Sequence, residues 1–258
     1  MQEEDRTVQP KTFMDLIIKV GSHGTYQKIV TFLFCLNFFT VALLIFNTSF
    51  LFYKPGMKCQ ELGFHDLNCE ENLCNIDPVN IAKYQMEPEI YSVNEEFGPF
   101  FCERSHILYA FRTSAFIGLF FSVFLATLSD KLGRKPCLVI SSAIQLFGTI
   151  MIACSFHIVM VGIGLVIAGF GGVACFRTIF VMLAEIVDDG HRQKSSVLLE
   201  GAIAIGAVMM GVFFWIVPHW RKHIIIFNLA PVFLCFLGYA FFIEETPKFL
   251  IKNPEKAV

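Results

Sequence analysis

Charge is what this sequence has little of. Only 16% of its 258 residues are Asp, Glu, Lys or Arg, where a soluble domain carries about 25%. The 20 basic and 22 acidic side chains nearly cancel, leaving a net charge of −2. Without a basic surplus there is no electrostatic footprint for nucleic acid, so nucleic acid is not expected as a partner. The punctuation of enzymes is missing too. There is no P-loop, no nucleophile elbow, no HExxH and no dinucleotide fingerprint. Cys, His and carboxylates form no two close ligand pairs, so no metal and no cofactor is expected. A leader is also not seen. Met1-Gln2-Glu3-Glu4-Asp5-Arg6 is acidic and precedes no short apolar run, unlike a secretory signal or an Arg-rich transit peptide. Insertion is expected to be directed by the first apolar span.

Apolar residues stand in place of the missing charge. They make up 55% of the chain, and 30 of them are Phe. The mean hydropathy is +0.61. A soluble core of this size cannot absorb that much apolar surface, so the surplus is expected to face lipid. Runs of about 20 apolar residues span a bilayer as helices, and six are legible, at 29–53, 107–128, 136–156, 158–183, 197–217 and 223–243. The fold class expected is an all-α, six-helix membrane protein. Its tail comprises residues 1–28, its bundle 29–243, and its last segment 244–258. The break at Phe156-His157 predicts a tight helical hairpin. Gly162, Gly164, Gly169, Gly171 and Gly172 crowd the fourth run and predict close helix approach, as small residues allow in lipid.

Basic residues in loops set orientation. Twelve Lys and Arg fall on the side of the two termini and six on the other. Both termini are therefore expected in the cytoplasm, or in the matrix if the host is the mitochondrial inner membrane rather than the plasma membrane. The outward loop 54–106 carries ten acidic and four basic residues. It also holds Cys59, Cys69, Cys74 and Cys102. Four cysteines in an outward loop suggest two disulfides in one of three connectivities, or four reduced thiols. Cys35, Cys137, Cys154, Cys175 and Cys235 lie in or beside spans and read as small hydrophobes. The sequon Asn47-Thr48-Ser49 lies within the first span, where it is expected to be unused.

Polar groups inside spans are costly, face the bundle interior, and are candidates for function. Arg177 could hold an anionic substrate, or pair with Glu185 or Glu200. Glu200 could bind a cation, couple protons or pair with a base. Asn37, Thr40, Gln145 and Asn228 could line a cavity or form interhelical hydrogen bonds. Arg112 is expected to reach the outer interface.

Three segments resemble a known family. Leu128-Ser-Asp130-Lys131-Leu-Gly133-Arg134-Lys135 resembles the loop 2–3 signature of the major facilitator superfamily. Ala184 to Gln193 resembles its partner motif after span four, and the run from Trp220-Arg221 to Glu244-Glu245-Thr246-Pro247-Lys248 resembles the close of span six in organic ion and sugar transporters. Phe101-Cys102-Glu103-Arg104, after a Cys-bearing loop, resembles the organic cation/anion branch. The resemblance implies half of a twelve-span transporter, built as a 3+3 inverted repeat. It implies an inner-face network in which Asp130 and Arg134 meet Glu185 and Arg192 beside Glu245 and Lys248, with Gly133 at the turn. This network would hold the outward-open state. Ala126, Gln193, Glu244 and Lys248 depart from the family's usual residues. Two functions follow. One is transport of a small organic ion by this half joined to a second half. The other is a structural subunit of a larger membrane complex, such as a respiratory assembly.

Overall fold

The computed structural model describes residues 25–53, 91–98, 105–186 and 189–246. Six helices among them are long and apolar enough to cross a membrane, as the six apolar runs predict. In chain order the elements are α1 (Thr25–Leu51), a short α2 (Val93–Phe97), α3 (Ser105–Leu132), α4 (Arg134–Ala153), α5 (Ile158–Ile186) and α6 (Asp189–Ile216). The sixth span is compound, made of α7 (Trp220–His223), a π-helical turn (Ile224–Leu229) and α8 (Ala230–Phe241). The single bridge among the described residues pairs Tyr91 with His219 in parallel.

Helix boundaries differ from the sequence reading at one end of the bundle. Five of the six spans overrun their apolar runs at the end of the bundle where Gly133 lies, because polar residues there continue the helix once it leaves the hydrocarbon, whereas the sixth stops at Phe241. Thus α6 starts at Asp189 and takes in Arg192, so Glu200 lies about three turns into the helix rather than one. The hairpin between α4 and α5 turns over residues 154–157, matching the predicted break. The four loop cysteines, Lys248 and residues 1–24 and 247–258 lie outside the described residues.

The glycines of α5 explain the packing. Gly164 and Gly171 face α4, whereas Gly162 and Gly169 face α3. Each pair is seven residues apart, so each forms one stripe along a helix that turns every 3.6 residues. A methyl group on Gly171 would come within 2.3 Å of the Gln145 nitrogen, and one on Gly169 within 2.6 Å of the Ala115 carbonyl oxygen. The partner helices reciprocate through Gly148 and Gly118, which approach Ala168 and Val166 of α5. Backbone contact of this kind replaces the hydrophobic drive that lipid cannot supply.

Buried hydroxyls complete the account by bonding within their own helices. Ser141 donates to Cys137, Thr149 to Gln145 and Thr178 to Ala174. Cys137, Cys175 and Cys235 are buried as small hydrophobes, whereas Cys154 is exposed in the α4–α5 turn.

Gly148→Val is expected to lower the melting temperature sharply or prevent folding, because Val would sit within 2.4 Å of the Ala168 nitrogen and overpacking costs about 1–3 kcal/mol or more. Gly201 has nothing within 4 Å of an added methyl, so Gly201→Ala is expected to be neutral or to stabilise by up to about 1 kcal/mol. Melting followed by intrinsic fluorescence in mild detergent checks both.

Candidate functional site: two charge junctions at the bundle ends

One junction, named inner after the orientation expected from the sequence, is built on the start of α4. Gly133 has a φ of 114°, a conformation that side-chain-bearing residues avoid. That reversal lets α4 begin one residue after α3 ends. It leaves the first N–H groups of α4 without helical partners. Pro136 removes one of these needs, since it has no N–H. The Glu245 carboxylate, arriving from beyond the sixth span, meets two others. Its Oε1 accepts from the Arg134 N–H at 2.8 Å, and both its oxygens accept from the Lys135 N–H at 3.3 Å. A carboxylate here also complements the positive end of the α4 dipole.

The Arg134 side chain turns to α5. Its Nη2 reaches Glu185 Oε1 at 3.2 Å and its Nε reaches Oε2 at 3.4 Å. This is the two-pronged geometry that guanidinium makes and ammonium does not. Nη1 donates to Ser129 Oγ at 2.9 Å, and Glu185 Oε2 also accepts from Thr246 Oγ1 at 2.9 Å. The Arg134 and Glu185 side chains are only 11% and 10% exposed. Arg192 donates to the Ala184 carbonyl at 2.8 Å, covering the negative end of α5. Arg134, Glu185 and Glu245 are thus brought together from three separate stretches of sequence. Asp130 lies in the last turn of α3, and Lys248 is outside the described residues.

An outer junction was not anticipated by the sequence reading. Glu96, at the end of α2, receives three donors. Arg221 Nε and Nη2 lie at 2.8 and 2.6 Å, and the Trp220 indole N–H at 2.7 Å. Arg221 also donates to the carbonyl oxygens of Ala153 and Ser155, at the C-terminal end of α4. Its guanidinium lies 4.5 Å from the Trp220 ring, within cation–π range. Trp220 itself is fully buried. Backbone bonds align the parts, with Tyr91 N–H to Pro218 and Trp220 N–H to Tyr91. Sequence offered little signal, because Glu96 is one of ten acids in a single loop and nothing marks it apart. Trp220-Arg221, two residues after Pro218, was the one available hint.

The polar span residues are not gathered into one site. Asn37 and Gln145 are buried and pair across α1 and α4, Nδ2 to Oε1 at 3.4 Å. Asn228 is buried in the π-helical turn, with its Nδ2 unpaired. Thr40 is buried and bonds back to Asn37. Arg177 is half-buried, and Glu200 is exposed on α6. Arg112 donates to the Phe52 carbonyl and so closes the outer end of α1.

Burial opposes the charge on Glu96, but the Arg221 and Trp220 hydrogen bonds outweigh it and hold its carboxyl below the usual carboxylate range. A lowered folded-state value means the junction contributes stability at neutral pH. That contribution is expected to fade as pH falls toward the ordinary carboxylate value and to vanish below the folded one. In melting curves from pH 7 downward, Glu96→Gln is expected to remove this part of the acid sensitivity. At the inner junction, Arg134→Lys is expected to cost about 1–2 kcal/mol through loss of the fork. Arg134→Ala is expected to cost about 3–5 kcal/mol by removing the guanidinium partner of the largely buried Glu185 carboxylate. Denaturant titration in mild detergent reads both.

Comparison with known proteins gives these junctions their setting. Residues 28–257 match the model of a family described as sugar (and other) transporters. The organic cation transporter protein of Drosophila melanogaster is 25% identical, over 94% of this chain and 50% of its own length. Solute carrier family 22 member 2 of Homo sapiens is 22% identical, over 96% and 53%. The rabbit (Oryctolagus cuniculus) form is 28% identical, over 60% and 28%. The crystal structure of a D-xylose–proton symporter superposes with a TM-score of 0.59 at 16% identity, over 90% of this chain and 52% of that one. The chain therefore spans about half, or less, of the proteins it matches. They are transporters, not enzymes. With six spans, this fold and a match over nearly its whole length, the chain is an integral multi-pass membrane protein that belongs to the sugar (and other) transporter family of the major facilitator superfamily.

Proposed function

We propose that this chain acts as one half of an alternating-access transporter for a small organic ion, completed by a second six-helix half. The observation that carries the reading is the inner junction, where a two-pronged Arg134–Glu185 contact links loop 2–3 to the end of span four. Alternating access needs a contact that is stable yet breakable as a unit, and side-chain forks of this kind meet that need.

The distribution of buried surface supports a second half. In α1, α4 and α5 the share of the span buried within the chain is 56%, 50% and 67%, but in α3 and α6 it is 28% and 22%. Phe116, Phe120 and Phe124 on α3, with Val197, Val208 and Trp215 on α6, are exposed. In this reading those faces meet the second half. Arg177 and Glu200 are the candidate solute contacts, since each is a charge within a span and neither makes an ion pair among the described residues. Asn37, Gln145 and Asn228 would then stiffen or line the path. Both termini face the cytoplasm in this arrangement, and the host is the plasma membrane.

The same two faces fit a second reading, in which other subunits of a larger complex cover them and nothing is transported. Native mass after extraction in mild detergent separates the two. One chain is 29.2 kDa. A particle of two halves plus detergent supports transport, and a particle many times larger supports the subunit. In liposomes, the two-half particle is expected to take up a labelled organic ion. Arg134→Ala is expected to cut that uptake at least tenfold, and uptake absent in the unaltered two-half particle overturns the reading.

A further inference from the structure

Both ends of α4 are covered, and both covers come from the sixth span. Glu245, just past the end of that span, lies on the Arg134 and Lys135 N–H groups. Arg221, at its start, lies on the Ala153 and Ser155 carbonyls. A helix of 20 residues is about 30 Å long, and its ends carry opposite partial charges. An acid at the positive end and a guanidinium at the negative end are the matched pair. Both belong to the sixth span, which runs antiparallel to α4.

These contacts differ in kind from the rest of the inner junction. The staple bonds join a side chain to backbone groups of α4 and of the turn just past its end, and the backbone partner has no rotamer by which to leave. Glu185, by contrast, is held by the Arg134 and Thr246 side chains. Two side chains can part by rotation about their own bonds, with no change in either helix. At the outer end Arg221 is held further by Glu96, itself aligned by the Tyr91 and Trp220 backbone bonds. The π-helical turn at Ile224–Leu229 lies between the two staple points. A wider turn holds an additional residue, which lets a span tied at both ends keep register with its neighbour.

We propose that Arg221 and Glu245 form a two-ended staple that keeps the sixth span fixed to α4 in every state of this half, and that the Glu185 contacts are the part of the inner junction that opens. The staple assigns Glu245 a different task from Glu185, although both lie in the same cluster of charges. Only the second clause rests on the reading that this half changes shape during transport.

Hydrogen exchange of the whole chain in phospholipid nanodiscs, read by fragment mass spectrometry, tests it without a transport assay. The reporters are the amides of Arg134 and Lys135 at the inner end and of Tyr91 and Trp220 at the outer end. Glu185→Gln is expected to leave all four within about twofold of the unaltered chain, while exchange at the last turn of α5 rises. Glu245→Gln is expected to speed Arg134 and Lys135 at least tenfold and leave the outer pair unchanged. Arg221→Met is expected to do the converse. If Arg221→Met does not fold, Arg221→Lys takes its place, with a smaller rise expected at Tyr91 and Trp220 alone. The proposal is overturned if Glu185→Gln speeds the staple amides as much as it speeds α5, since the junction is then one cooperative unit. It is equally overturned if Glu245→Gln leaves Arg134 and Lys135 protected. Failed uptake in liposomes removes the transporter reading and leaves these exchange results standing.

Discussion

The two ends of α4 impose the constraint on which the rest of the structure depends. A bilayer offers no water to helix ends set within a packed bundle, so the bundle itself must supply the missing partners. The inner end requires acceptors for the N–H groups that follow Gly133, and the outer end requires donors for the last carbonyls. Glu245 and Arg221 meet these needs. Because each partner is itself anchored, the demand spreads. Arg221 draws in Glu96 and Trp220, and through them the segment before α3. At the inner end, the Arg134 side chain is left to reach across to Glu185, which in turn holds Thr246. Two loops and the flanks of the sixth span are thereby positioned from one helix.

Glycine supplies the second organising element. Close approach of α5 to α3 and α4 depends on two stripes of glycine, because backbone contact is the main attraction available between apolar helices in an apolar solvent. That approach aligns the inner ends of α4 and α5 so that Arg134 reaches Glu185. The Arg134–Glu185 geometry is thus set 14 to 21 residues away, by residues without side chains.

The charged junctions and the unpartnered faces divide the molecule by purpose. Among the described residues, Glu96, Arg134, Glu185, Arg221 and Glu245 lie at the bundle ends, where they join to backbone or to one another. The α3 and α6 faces remain apolar and exposed, and the chain spans about half the length of the proteins it matches. Arg177 and Glu200, charged and within spans, belong to neither junction.

The number of spans, their approximate limits and the membrane class were legible in the chain. Hydropathy is a local property, and a 20-residue apolar run has one stable disposition in a bilayer. The signatures at Leu128–Lys135 and Ala184–Gln193 were legible because their residues lie close together in sequence. The glycine crowding of the fourth span was legible as packing, but which glycine meets which helix was not. The outer junction was decided by tertiary structure alone. Glu96 and Arg221 stand 125 residues apart, and an acid among ten in one loop carries no mark of its partner. The split in the inner cluster between a carboxylate on backbone and one on side chains was equally invisible. Composition records which charges are present, but only the approach of α4 to the sixth span decides which of them lie at a helix end and which face another side chain.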